Sequence, residues 1–139
     1  MKFNPPKVSP VQWRNLLKLL GLMVVADDKI YQEEVSMFSQ AAMSLQQKIS
    51  PDMIMTNKMT VDWFINYRDR LSEVVDSLDY DRAVIEIISE LRGLEHKEII
   101  IEKMIDIAKS DGAFHDKERI IIKKTILYWN IESDKFDLT

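Results

Sequence analysis

The sequence predicts an all-α fold, a compact bundle of about seven helices, and three observations carry that expectation. Apolar residues recur every three to four positions over long stretches, which is the period of a helix and not of a strand. With only 3 Gly in 139 residues and little Val–Thr alternation, no segment makes a good strand candidate. Serine–proline and serine- or threonine-led starts stand where the periodic stretches begin.

The first helix opens at Ser9-Pro10-Val11-Gln12, with an N-cap serine, proline at the first helical position and Gln at the third, as a capping box requires. Trp13, Leu16, Leu17, Leu20 and Val24 form its stripe. Leu19, Leu22, Met23 and Val25 widen the stripe until little of the helix is polar. A helix apolar nearly all round belongs at the centre of a bundle. After a break at Ala26-Asp27-Asp28-Lys29, a second helix is expected from about Gln32 to Gln47. Ser50-Pro51 predicts a short third helix. Asn57-Lys58-Met59 reads as a loop, and Thr60 as the cap of a helix running to about Asp76. Asp79 is expected to cap a helix from Tyr80 to Arg92, with Gly93 as its left-handed stop. A sixth helix spans about Glu95 to Ser110, Asp111-Gly112 breaks it, and a seventh runs from about Asp116 to Trp129.

The chain has the size of a single domain, residues 1–139, with residues 1–8 as an N-terminal extension and 132–139 as a polar tail expected to fray. Its 46% hydrophobic and 30% charged residues exclude a disordered or fibrous chain. The absence of cysteine excludes disulfides, thiolate metal sites and cysteine nucleophiles. A net charge of -4 argues against general binding to nucleic acid or anionic membranes. The run Leu19 to Ala26 is far shorter than the roughly 20 residues that span a bilayer. A cleaved signal is not expected, because Lys18 interrupts the leucines and the run continues a longer helical pattern. The expected location is cytoplasmic.

The first and last helical pairs look alike. A shift of 84 positions lays Leu16, Leu17, Leu20 and Val24 on Ile100, Ile101, Met104 and Ala108, and Asp27, Ile30 and Glu34 on Asp111, Phe114 and Glu118. Identities are few; the punctuation carries the likeness. Both halves run from an apolar helix through a small residue, an Asp and a turn to a large apolar residue, with Glu four positions later. Gly112 permits positive φ, and Asp28 is among the few other residues that tolerate it. Ile30 and Phe114 can plug the gap between paired helices. Glu34 and Glu118 fall in a first turn, where a carboxylate faces the positive dipole end.

This doubled arrangement resembles the tellurite-resistance TerB family and its relatives in the N-terminal region of DjlA-type co-chaperones. Those proteins carry alanine–aspartate–glycine, an acidic or other residue, isoleucine or phenylalanine, then a glutamate-bearing helix start, in an early and a late helical pair. The resemblance covers roughly Trp13–Leu45 and Glu98–Ile131. It implies a bundle of about seven helices with pseudo-symmetric halves and a role in metal, oxyanion or other chemical stress. It also implies a divalent-metal site at the acidic turns, with Asp27, Glu34, Asp111 and Glu118 as ligands. This chain departs from the pattern at Asp28, where glycine is usual, and at Tyr31 and His115, where a small polar or acidic N-cap is frequent.

Oxygen ligands of this kind suit Ca²⁺, Mg²⁺ or Mn²⁺ ahead of Zn²⁺. The other reading is that the aspartates cap backbone groups and the glutamates are first-turn acids. Neither turn is an EF-hand: counting from Asp111, positions three, five and twelve are Ala113, His115 and Ile122. The acidic set Asp76, Asp79, Asp81, Glu86 and Glu90 is either a partner surface or a solvated face with caps. His96 and His115 are expected at helix starts in water. No nucleophile elbow, zinc-protease pair or phosphate-cradling loop accompanies them, so an enzyme is not expected. Met53, Met55 and Met59 either fill core or line a peptide groove, which would suit a protein partner whose identity the sequence does not give. Lys123-Lys124 and Arg68-Asp69-Arg70 are too small and mixed for nucleic acid. Two binding functions remain: a stress-linked metal-binding module, or a DjlA-like adaptor whose acidic turns are purely structural.

Overall fold

The computed structural model describes residues 8–26, 30 and 32–139. Among them it holds six α-helices, a single 3-10 turn and no strand. The helices are α1 (Pro10–Val25), α2 (Gln32–Ile49), α3 (Asn57–Asp76), α4 (Tyr80–Glu90), α5 (Lys97–Lys109) and α6 (Asp116–Tyr128), and the 3-10 turn is Ser133–Lys135. The capping box at Ser9 forms as expected. Gln12 donates its backbone N–H to Ser9 Oγ at 3.1 Å, and its own Oε1 accepts from the Ser9 N–H at 3.0 Å.

Helix α1 is the centre of the bundle and packs against α2, α3, α4 and α5. Its side chains from Leu16 through Ala26 are buried with the single exception of half-buried Lys18. Gly21 lets α3 approach: a Cβ there would come within 2.6 Å of Leu71 Cδ1. The equivalence of the two helical pairs extends to burial, since Leu16, Leu17, Leu20 and Val24 are all buried, and so are Ile100, Ile101, Met104 and Ala108.

Several local expectations are corrected. The short helix at Ser50-Pro51 is a turn. The Gln46 side chain donates to the carbonyls of Ser50 at 3.0 Å and Met53 at 2.5 Å, which satisfies acceptors that a continuing helix would otherwise use. Helix α3 starts earlier than expected because Thr56, not Thr60, is its N-cap, its hydroxyl accepting from Met59 N–H at 3.2 Å. Asn57-Lys58-Met59 is therefore the first turn of a helix and not a loop. Thr60 is buried instead, with its Oγ1 2.5 Å from Ser39 Oγ on α2. Asp79 occupies the N-cap position of α4 without a side-chain capping bond.

Gly93 is not left-handed. Tight bonds from Leu91 N–H to Ile88 O and from Arg92 N–H to Ser89 O close α4, and the positive φ of that connection falls on His96, at 63°. Gly112 does take the expected positive φ, 86°. The tail is docked and not frayed. Phe136 and Leu138 pack on the core, Arg119 Nε donates to Leu138 O at 2.8 Å, and Lys135 pairs with Glu98 at 2.7 Å.

Candidate functional site

The acidic turn between α5 and α6 is built by short-range bonds. After the left-handed Gly112, the Ala113 N–H donates to Asp111 Oδ1 at 3.1 Å, an Asx turn. The second Asp111 oxygen lies 3.3 Å from His115 Nε2, and only 6% of the Asp111 side chain is exposed. His115 holds the N-cap position of α6 in extended conformation, and its N–H donates to Glu118 Oε1 at 2.9 Å. This is the reciprocal half of a capping box, in which a third-position glutamate reaches back to the cap. Phe114 is half-buried between the Arg119 guanidinium, 4.7 Å from its ring centre, and Lys109, at 5.3 Å. Arg119 also bonds Asp116 and the Phe114 carbonyl, so one side chain ties the turn, the helix start and the tail together.

In the matching turn between α1 and α2, Asp27, Asp28, Lys29 and Tyr31 lie outside the described residues. Ile30 does not plug the helix pair as Phe114 does; it is 42% exposed. Glu34, in the first turn of α2, has 0% exposure, and so does Glu118 in the first turn of α6. Neither of these carboxylates is without a partner. Of the four residues expected as metal ligands, Asp111 and Glu118 meet through the His115 backbone and ring. Glu34 is buried at the equivalent place, and Asp27 is not described. Among the described residues, no three His, Asp or Glu side chains are grouped to hold a metal ion. The donor chemistry is nonetheless that of a hard cation: carboxylate oxygens, removed from water.

His96 and His115 both stand at helix starts, as expected, but His115 faces Asp111 as well as solvent. Sequence spacing could have found that contact, since an Asx-turn aspartate and a residue four positions on return to the same place. Met53 and Met55 pack against the core and Met59 is exposed, so these methionines do not form one groove. Exposed apolar side chains are spread over several elements, among them Ile54, Ile65 of α3, Leu78, Ile85 of α4 and Ile120 and Leu127 of α6. Ile85 and Leu127 border a cleft of about 440 Å³ together with Lys123, Lys124 and Tyr128. Among the described residues no helix is long and apolar enough to cross a membrane.

Compared with known protein families, the chain matches that of tellurite resistance protein TerB over residues 13–139. No curated protein and no solved structure matches it significantly.

Proposed function

The chain belongs to the TerB family, and from that premise we propose that it acts by binding and not by catalysis, as a cytoplasmic module of the response to tellurite or metal stress that takes a divalent cation at its acidic turns. Asp27, Glu34, Asp111 and Glu118 would hold the ion. The observation that carries this reading is the complete burial of Glu34 and Glu118 at matched positions of the two helical pairs. A capping carboxylate works at the surface and needs no such burial. Glutamates are almost never fully buried unless paired, hydrogen-bonded or ligating, because dehydrating a carboxylate is costly. A bound Ca²⁺, Mg²⁺ or Mn²⁺ would add positive charge to the partners these carboxylates already have, lower that cost further and tie the two turns together.

The test is a thermal melt in chelator and then in each of Ca²⁺, Mg²⁺, Mn²⁺ and Zn²⁺. Free ion at 100 times its Kd stabilises by about 2.7 kcal/mol. For a chain of this length that is a rise in Tm of about 9 °C, from roughly 2.1 cal/mol/K of unfolding entropy per residue. The rise should be selective among ions and absent in Asp27→Ala/Asp111→Ala. No shift with any ion at millimolar excess refutes the cation site.

A second reading, a DjlA-like adaptor, is favoured by the cleft that exposed Ile85 and Leu127 border together with Lys123 and Lys124. Exposed apolar patches bordered by charge mark protein contacts. That reading expects no ion dependence, and loss of the stress phenotype when Leu127→Lys is introduced into an otherwise stable chain.

A further inference from the structure

Lys18 breaks the apolar surface of α1, half-buried between Leu17 and Leu19. Its ammonium lies 5.5 Å from the centre of the Tyr67 ring on α3, and the Arg70 guanidinium lies 5.3 Å from the same centre. Among the described residues, neither cation has a carboxylate within ion-pair distance. Two like charges thus converge on one ring without a neutralising partner, which costs energy unless an anion joins them.

The ring is held firmly. Tyr67 stacks on Trp63 at 4.9 Å and 8°, and Trp63 stacks on the fully buried Phe38 at 5.9 Å and 19°. A ladder of three aromatic rings therefore runs from the core to the surface and fixes the Tyr67 hydroxyl. Burial pushes the Tyr67 pKa up, but Arg70 and Lys18 acting together outweigh burial and leave it below the ordinary 10.0. The local field is one that favours negative charge.

These groups form one wall of a groove of about 570 Å³ between α1, α3 and α4, a size usual for small-molecule sites. The α4 wall carries Glu86 and Glu90, four residues apart on one helix face. Opposite charges therefore line the same groove, and among the described residues no ion pair joins them. A polyanion such as nucleic acid or an anionic membrane is disfavoured there by the two glutamates.

We propose that this groove binds a small zwitterion, its phosphate or carboxylate group held by Lys18, Arg70 and the Tyr67 hydroxyl and its amine received by Glu86 and Glu90. Arginine and lysine donors shared with a phenol suit an oxyanion, which accepts several charge-assisted hydrogen bonds at once. The site shares no residue with the acidic turns and stands or falls independently of the cation.

Isothermal titration and amide chemical-shift mapping of the full chain test it with four probes: phosphoethanolamine, β-alanine, inorganic phosphate and ethanolamine. At least one zwitterion should bind, phosphoethanolamine indicating a phosphate group and β-alanine a carboxylate. The shifts should centre on Lys18, Tyr67, Arg70, Glu86 and Glu90. Ethanolamine should not bind, and inorganic phosphate should bind about tenfold more weakly than phosphoethanolamine if the phosphate class is correct. Lys18→Met and Arg70→Met should each weaken the zwitterion about tenfold or more. Glu86→Gln/Glu90→Gln should remove the advantage of the zwitterion while leaving inorganic phosphate no weaker. Lys18→Met keeps the aliphatic stem, and a melt of each variant separates loss of binding from loss of fold. As a second readout, saturating zwitterion should raise the Tyr67 pKa, followed as the absorbance difference from Tyr67→Phe. Failure of both zwitterions at 10 mM, or binding unchanged in Lys18→Met and Arg70→Met, overturns the proposal.

Discussion

Replacing Thr60 by valine tests how α2 and α3 are joined. The Thr60 hydroxyl is fully buried, lies 2.5 Å from Ser39 Oγ and donates to Asn57 O at 2.8 Å. Ser39 Oγ has one proton, which it donates either to Thr60 Oγ1 or to Asn57 Oδ1, also 2.5 Å away. Valine keeps the shape of threonine and removes only the hydroxyl. Ser39 then retains Asn57 as its acceptor, so the substitution should cost the net value of the lost bonds, about 1 kcal/mol. For 139 residues that is a fall in Tm of about 3 °C. Ser39→Ala should cost a similar amount, because Thr60 keeps the Asn57 carbonyl. The bond between the two hydroxyls is counted in both single variants. The double variant should therefore fall short of the sum by about 1 kcal/mol, the coupling of a direct contact. Urea denaturation of the four proteins measures that coupling. Thr56→Ala, which removes the cap of α3, should cost about 1 kcal/mol and add independently to Ser39→Ala. If Ser39→Ala and Thr60→Val were additive and Thr56→Ala cost nothing, Thr60 would be the cap and the buried junction would be wrong.

The other predictions concern single buried polar groups and the ion response. Trp129 Nε1 donates to Ile88 O at 2.8 Å across α6 and α4; Trp129→Phe should cost about 1–2 kcal/mol by melt or urea, modest because Leu91 N–H still reaches that carbonyl. The Tyr80 hydroxyl is buried with no hydrogen-bond partner among the described residues, and burial, reinforced by Asp81, pushes its pKa up to about 12. The folded state thus favours the neutral phenol, whose contribution to stability is complete below pH 10 and is lost as pH rises from 10 to about 12. Tyr80→Phe should be no less stable than the parent at pH 7 and should remove that part of the alkaline loss; a parent and variant with identical pH profiles would refute it. Glu118→Gln keeps a carbonyl for the His115 N–H, so in chelator it should cost about 1 kcal/mol or less, while any rise in Tm on adding ion should disappear.

What the sequence made legible was whatever depends on neighbours along the chain. Ser9, Pro10 and Gln12 specify a capping box because all its donors and acceptors lie within one turn. The central place of α1 follows from its lack of a polar face, and the 84-residue repeat locates two sets of buried positions before any packing is known. The misses share the opposite character. Thr60 looks like a cap, but its hydroxyl bonds Ser39, a residue 21 positions away. Gln46 ends the local helical tendency after Ser50 by capturing two carbonyls, which no propensity registers. The positively charged end of the groove joins Lys18 to Tyr67 and Arg70 from another helix, and neither helix carries a motif that names the pair.

Glu34 and Glu118 lie between these two cases, and they show how burial can alter the meaning of a position that sequence locates correctly. From the sequence each is a first-turn acid, for which capping and the helix dipole are sufficient reasons, worth about 0.3–1 kcal/mol at a surface. Capping accounts for one oxygen of Glu118, the one that accepts from His115 N–H. It does not account for the removal of the whole side chain from water, here and again at Glu34. A cap alone is served as well by glutamine, which keeps the accepting oxygen and carries no charge to dehydrate. Both carboxylates have partners that offset part of the cost of burying their charge, and that charge, which glutamine lacks, is what the proposed cation would use. The Glu118→Gln melt separates capping from cation binding: an ion response that survives the substitution leaves Glu118 as a cap, and one that vanishes assigns its charge to the ion.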